Sequence, residues 1–116
     1  MIRVAYSTIH AYDKYLLSSK KNEAGYVPGA EGSGMIIAVG EGVSPSHLGR
    51  KCCFLHNAWA SHAVKKAHSM DLILLDDQVD FKNAAIAYIN PLTAIAMLDV
   101  IKQKNQKSLI SNAAAS

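Results

Sequence analysis

The hydrophobic pattern changes character at Asp80, and that change restricts the chain to a mixed α and β fold. Upstream, short runs rich in β-branched and aromatic residues alternate with glycine-bearing breaks. Ile2 to Ser7 reads as a strand on this basis. Ile9 to Ser18, with Asp13 and mixed polarity, reads as a turn or short helix before a polar loop from Ser18 to Gly25. From Gly32 the run Ser33-Gly34-Met35-Ile36-Ile37-Ala38-Val39-Gly40 predicts a buried strand closed by the turn Gly40-Glu41-Gly42. Cys52 to Leu55 predicts another strand, His56-Asn57 followed by Ala58 to Val64 has hairpin spacing, and Asp71 to Leu75 predicts a further strand. Downstream, Phe81 to Tyr88 and Leu92 to Ile101 carry Ala, Ile, Leu and Met at helical spacing. Pro91 suits a first helical turn, Asn90 can cap that second helix with its side-chain oxygen, and the polar stretch Lys102 to Lys107 ends it. Ser108 to Asn112 then reads as one more short strand with no later partner, the expected opening of an α/β unit that is cut off. Two regions are therefore expected, 1–80 and 81–116.

With 116 residues, half of them hydrophobic, the chain can build one modest core. Its net charge of +3 is small and its lysines are scattered, the tightest groups being Lys20-Lys21 and Lys65-Lys66. No basic stripe is available to follow phosphates, so nucleic acid is not an expected partner. The longest apolar stretches, such as Met35 to Val39 and Leu72 to Leu75, fall far short of the roughly 20 residues that cross a bilayer, and the N-terminus has no signal-peptide pattern. A cytoplasmic protein without a membrane partner is expected. Cys52 and Cys53 are adjacent and have no third cysteine to pair with, so the reading is a reduced, buried pair.

Five segments in order resemble the medium-chain dehydrogenase/reductase superfamily, and specifically its zinc-free, quinone oxidoreductase-like branch. They are Val27-Pro28-Gly29-Ala30-Glu31-Gly32-Ser33-Gly34, Val39-Gly40-Glu41-Gly42-Val43, Gly49-Arg50-Lys51, Asn90-Pro91-Leu92-Thr93-Ala94 and Asn112-Ala113-Ala114-Ala115-Ser116. Each is a common turn pattern by itself; their shared order and spacing carry the likeness. The resemblance implies a GroES-like, partly open β-barrel over 1–80. Over 81–116 it implies two helices and the first strand of a truncated Rossmann-type domain, with the active site in a cleft between the two domains. Glycines from Gly29 to Gly34 are expected to serve close backbone approach and tight turning.

The resemblance also bears on metal. Zinc-dependent relatives carry a cysteine ligand where this chain has His10 and a histidine ligand where it has Ala30. A catalytic zinc needs about three protein donors, and Ala30 offers none. No zinc is expected, catalytic or structural, since Cys52-Cys53 lacks the spacing of separated ligand pairs. His47, His56, His62 and His68 are read as solvated or hydrogen-bonded residues.

By resemblance the intact enzyme uses NAD(P)H to pass hydride to an activated alkene, quinone or carbonyl, and needs hydrogen-bond donors for charge developing on substrate oxygen. His10 corresponds to a cleft position where a donor could orient substrate or the nicotinamide ribose. Thr93 would face the nicotinamide and Asn90 would lie near it, making His10 and Thr93 the candidate catalytic residues and Asn90 and Thr93 the candidate cofactor contacts. A helix cap at Asn90 and a first-turn role for Thr93 are the competing readings. Tyr15 and Tyr26 are read as packing residues with exposed hydroxyls and Asp13 as a turn residue.

A dinucleotide fold needs a Gly-x-Gly-x-x-Gly turn opening a helix, and the sequence has none. The isolated chain is therefore expected to bind no coenzyme and to turn over no substrate. The N-terminal strand that precedes Ile2 in relatives is expected to be missing, and an uncovered apolar face including Ile86, Ile89, Leu92 and Ile95 is expected to promote homo-oligomers. Two alternatives stay open: part of a zinc-type alcohol dehydrogenase with a degenerate metal site, and a non-catalytic GroES-like interaction module.

Overall fold

The computed structural model describes residues 1–20 and 23–110. Its strands are β1 (Ile2–Ser7), β2 (Glu31–Ile36), β3 (Lys51–Leu55), β4 (His62–Ala63) and β5 (Leu72–Leu74), and its helices are α1 (Ala11–Lys20), α2 (Phe81–Ala84) and α3 (Ile89–Gln103). The strands form one sheet in the order β4-β1-β2-β3-β5, antiparallel throughout. This is the mixed α and β architecture expected, an open sheet with α1 inserted between β1 and β2 and with α2 and α3 after the last strand.

Register follows from which residues must be dry. Ile2 faces Ile36 across β1 and β2, and Gly34 faces Cys52 across β2 and β3. The alternation of a strand therefore puts Ile2, Ile36, Cys52 and Phe54 on one face, where Ala58 and Ala63 close a core flanked by Val4, Val39, Leu72 and Leu74. Glycines at 32 and 34 let the strands meet there: a methyl on Gly34 would stand 2.2 Å from the Arg3 carbonyl oxygen, and one on Gly32 2.9 Å from the Tyr6 carbonyl oxygen. The opposite face is covered by α2, whose Phe81 carbonyl accepts a 2.5 Å bond from the buried Ser33 hydroxyl. Both cysteines are buried and free because both faces of β3 are covered.

Four local expectations need correction. Residues after His56-Asn57 do not fold back on β3. Both break residues have positive φ, but β3 already has β2 on one side and β5 on the other, so the chain crosses to the far edge, where β4 pairs with β1. The apolar run from Phe81 stays helical only to Ala84. It then turns so that Ala84, Ala85 and Tyr88 are all buried and the Tyr88 hydroxyl meets the Met70 carbonyl, a tertiary requirement that overrides helical spacing. Asn90 is not a cap: α3 begins at Ile89, Tyr88 precedes it without a side-chain cap bond, and Asn90 lies inside the first turn. Ser108 to Ile110 are not in a strand, and Ser111 and Asn112 lie outside the described residues.

The C-terminal end of α3 matches its sequence well. Asn105 adopts φ 50°, with its amide donating to the Lys102 carbonyl and the Gln106 amide to the Ile101 carbonyl. This is a Schellman closure with asparagine in the left-handed position. Among the described residues no helix is long and apolar enough to cross a membrane.

Candidate active-site cleft

β1 delivers Thr8, Ile9 and His10 to the start of α1, where His10 immediately precedes the first helical residue and Asp13 lies in the first turn. The Asp13 carboxylate reaches back to accept the His10 amide at 2.7 Å, as the acidic residue of a capping box does. Its other oxygen accepts the Ala30 amide at 2.8 Å, so one buried side chain locks the α1 entry to the segment before β2. The sequence reading of Asp13 as a solvated turn residue fails because both oxygens are consumed by backbone donors that would otherwise be buried unpaired.

Glu31, the first residue of β2, is 1% exposed. Its Oε1 lies 2.7 Å from His10 Nε2, and its Oε2 accepts the Ile89 amide, the first of α3, at 2.9 Å. One carboxylate thus binds the histidine and the helix start together, the usual way a buried acid is kept affordable in a dry interior. Trp59 completes the cleft. Its indole donates to the Thr8 carbonyl at 2.9 Å, and its backbone packs so tightly on Gly29 that a methyl there would stand 2.5 Å from the Trp59 nitrogen. Gly29 also has φ 101°, so glycine is required at that position on two counts. The resulting open cleft, about 440 Å³, is lined by Ile9, His10, Asp13, Lys14, Leu17, Ser18 and Trp59.

Of the residues singled out from sequence, His10 lies in this cleft and Thr93 and Asn90 lie on the exposed surface of α3. The Thr93 hydroxyl donates to the Ile89 carbonyl at 2.8 Å, an ordinary intrahelical bond. His10 is joined to the start of α3 through Glu31 rather than through Asn90 or Thr93. Sequence reasoning missed Glu31 and Trp59 as site residues. An acid inside a glycine-rich strand and the sole tryptophan of the chain were the available signals. Tyr12 and Tyr15 stack on each other at 6.0 Å, both exposed. His56 and His62 are exposed. Burial pushes the Cys52 thiol up to about 12, helped by the neighbouring Cys53, and burial raises Cys53 as well, with the Glu31 charge adding to it.

Neither a zinc ion nor coenzyme phosphates fit these residues. Ala30 presents a buried methyl beside Glu31, His10 has spent Nε2 on that glutamate, and among the described residues no three His, Cys, Asp or Glu side chains gather to hold a metal. Among the described residues the amide end of each α-helix is closed by an acid: Asp13 on α1, Asp80 on α2 and Glu31 on α3. A phosphate at any of these ends would meet a carboxylate.

No protein-family model matches the chain. Over 71 residues, 61% of its length, it is 34% identical to the human synaptic vesicle membrane protein VAT-1 homolog and 32% identical to the rat protein of that name; this covers 18% of each. Its fold superposes on a Mesorhizobium loti protein assigned as an NADPH:quinone reductase with a TM-score of 0.75 and 33% identity, covering 89% of this chain and 32% of that one. A Bacillus thuringiensis protein with the same assignment gives 0.68 and 28%, covering 83% and 30%. The chain therefore spans about a third of these solved relatives and under a fifth of the curated ones. With its motifs in order, its open antiparallel sheet followed by helices and these likenesses, the chain belongs to the medium-chain dehydrogenase/reductase superfamily.

Proposed function

We propose that this chain forms the substrate-side wall of a hydride-transfer crevice in a cytoplasmic, zinc-independent, NAD(P)H-dependent oxidoreductase acting on a quinone, activated alkene or carbonyl. The observation that carries the reading is the cleft itself, with a flat apolar Trp59 and a histidine whose ring is set by a fully buried carboxylate. The likeness to proteins assigned as NADPH:quinone reductases supports the reaction class.

Reduced nicotinamide, when bound, supplies hydride. The work left to this wall is to hold the substrate ring and to provide a polar group for its oxygen. Trp59 suits the first task and His10 the second, while Asp13 and Glu31 hold the loop and ring in place. Asn90 and Thr93, exposed at the start of α3, are assigned to the coenzyme side. Since each helix start is closed by an acid, the coenzyme phosphates are gripped by residues other than these. The chain alone accordingly has no appreciable NAD(P)H affinity and no turnover.

Trp59 gives the test because it is the single tryptophan and lines the cleft. Titration with duroquinone and with durohydroquinone should each quench its fluorescence to saturation, and His10→Ala should weaken the hydroquinone binding by about fivefold, the worth of one hydrogen bond. NADPH should give no saturable signal and no oxidation. Micromolar NADPH binding, or quenching by quinone that rises linearly without saturating, would overturn the reading.

A further inference from the structure

Glu31 has two partners that restrict it differently. The Ile89 amide can only donate, so Oε2 must accept from it. When Glu31 is the carboxylate it has no proton to give, so Oε1 also accepts, and the hydrogen in its 2.7 Å contact then belongs to His10 Nε2. A neutral imidazole carries a single ring proton. With that proton held on Nε2, Nδ1 is left with its lone pair, and it has no hydrogen-bond partner among the described residues. His10 is part-buried and lines the cleft with Trp59, so Nδ1 is its free polar atom.

We propose that Glu31 is a positioning residue that makes neutral His10 a hydrogen-bond acceptor towards the cleft. Resting on the substrate-wall reading above, this gives the site a preference for a ligand that presents a hydroxyl, such as a hydroquinone or alcohol, over the matching quinone or ketone. When the ring is protonated both nitrogens donate and the preference reverses. Among the described residues the charged groups that contact His10 or line the cleft with it are Glu31 from β2 and Asp13 and Lys14 from α1; the Trp59 segment adds none. A glutamine at position 31 would invert the arrangement. Its oxygen would have to stay on the Ile89 amide, its NH2 would then face Nε2, and the ring proton would move to Nδ1.

The test uses the full chain, with the nitrogen shifts first read to show that the His10 ring is neutral. Nitrogen NMR of isotope-labelled protein should show His10 protonated on Nε2 in the wild type and on Nδ1 in Glu31→Gln. Anaerobic titrations followed by Trp59 fluorescence should show durohydroquinone binding about fivefold tighter than duroquinone in the wild type and the order reversed in the variant. A wild-type ring protonated on Nδ1, or a ligand preference that is unchanged in Glu31→Gln, overturns the proposal. If the variant does not fold, the wild-type tautomer and the wild-type preference still decide it. Failure of either ligand to saturate removes the substrate-wall reading and this preference with it, whereas the wrong tautomer removes the positioning role alone.

Discussion

The sheet and α3 are built from similarly apolar residues and meet opposite fates. Phe54 and Cys52 on β3 have no exposed surface and Ile2 has 2%, while Ile95 on α3 is 61% exposed and Leu92, Leu98 and Val100 are each more than half exposed. Among the described residues no side chain of α3 is buried. Hydrophobicity alone therefore does not locate the core. What separates the two regions is tertiary closure: the sheet has strands on either side and α2 across one face, whereas α3 is held at its first amide by Glu31 and finished by its own C-terminal turn. Stability in this chain should reside in the sheet.

The largest effect that contrast predicts is at Phe54, where truncation to alanine removes a fully buried ring and should cost about 3–5 kcal/mol in denaturant unfolding. A loss below about 1 kcal/mol would mean the sheet core is not the stabilising region. Next is Gly34→Ala. The added methyl would meet the Arg3 carbonyl oxygen at 2.2 Å, and a backbone atom in a paired strand cannot rotate away. A cost near 3 kcal/mol, the upper part of the overpacking range, is expected, accompanied by faster exchange of the β1 amides. Gly40→Ala is the control, since a methyl there meets nothing within 4 Å.

The sheet also carries an alkaline limit. Burial moves Cys52 from an ordinary 9.0 to about 12, so its neutral thiol is favoured by the folded state. A raised acid of this kind contributes stability that is fully present below pH 9.0 and is lost as pH rises towards about 12. By about pH 10.5 the loss should be of order 2 kcal/mol, and Cys52→Ala should flatten the decline between those limits. An unchanged alkaline slope in that variant would remove Cys52 as its source.

Much of the fold was legible because it is written locally. β1 appears as a run of β-branched and aromatic residues, most of β2 as the glycine-punctuated Ser33 to Ile36, and β3 as the apolar Cys52 to Leu55 after Gly49, while α3 and its stop appear as spacing followed by a polar segment. The pieces that escaped are those whose cause lies far along the chain. β4 is two residues long and owes its existence to a free edge on β1, about which Ala58 to Val64 carries no information. Asp80 is a plain side-chain cap visible three residues ahead of Asn83, but the cap on α3 is Glu31, 58 residues away. The cleft is similar: His10 was readable by resemblance, while its pairing with Glu31, 21 residues on, depends on β1 and β2 lying side by side. Periodicity reports which face is dry; it does not report which acid a histidine will meet.

The smallest effect expected is on α3, and it sharpens the contrast most. Leu98→Ala removes a side chain that is more than half exposed, so at low protein concentration it should change unfolding stability by under about 0.5 kcal/mol, despite deleting as much carbon as a damaging core substitution would. Alanine is a better helix former than leucine, which offsets part of even that loss. The outcome should depend on concentration if a second copy covers this helix, because an interface stabilises the folded state by mass action. Thermal unfolding of wild type and Leu98→Ala should then be compared over a hundredfold dilution, with sedimentation velocity at both ends. Coincident melting temperatures throughout would mean α3 stays uncovered in solution. A wild-type midpoint that climbs with concentration while that of Leu98→Ala does not would move α3 from the exposed class to the buried one, with a partner chain doing for the helix what α2 does for the sheet.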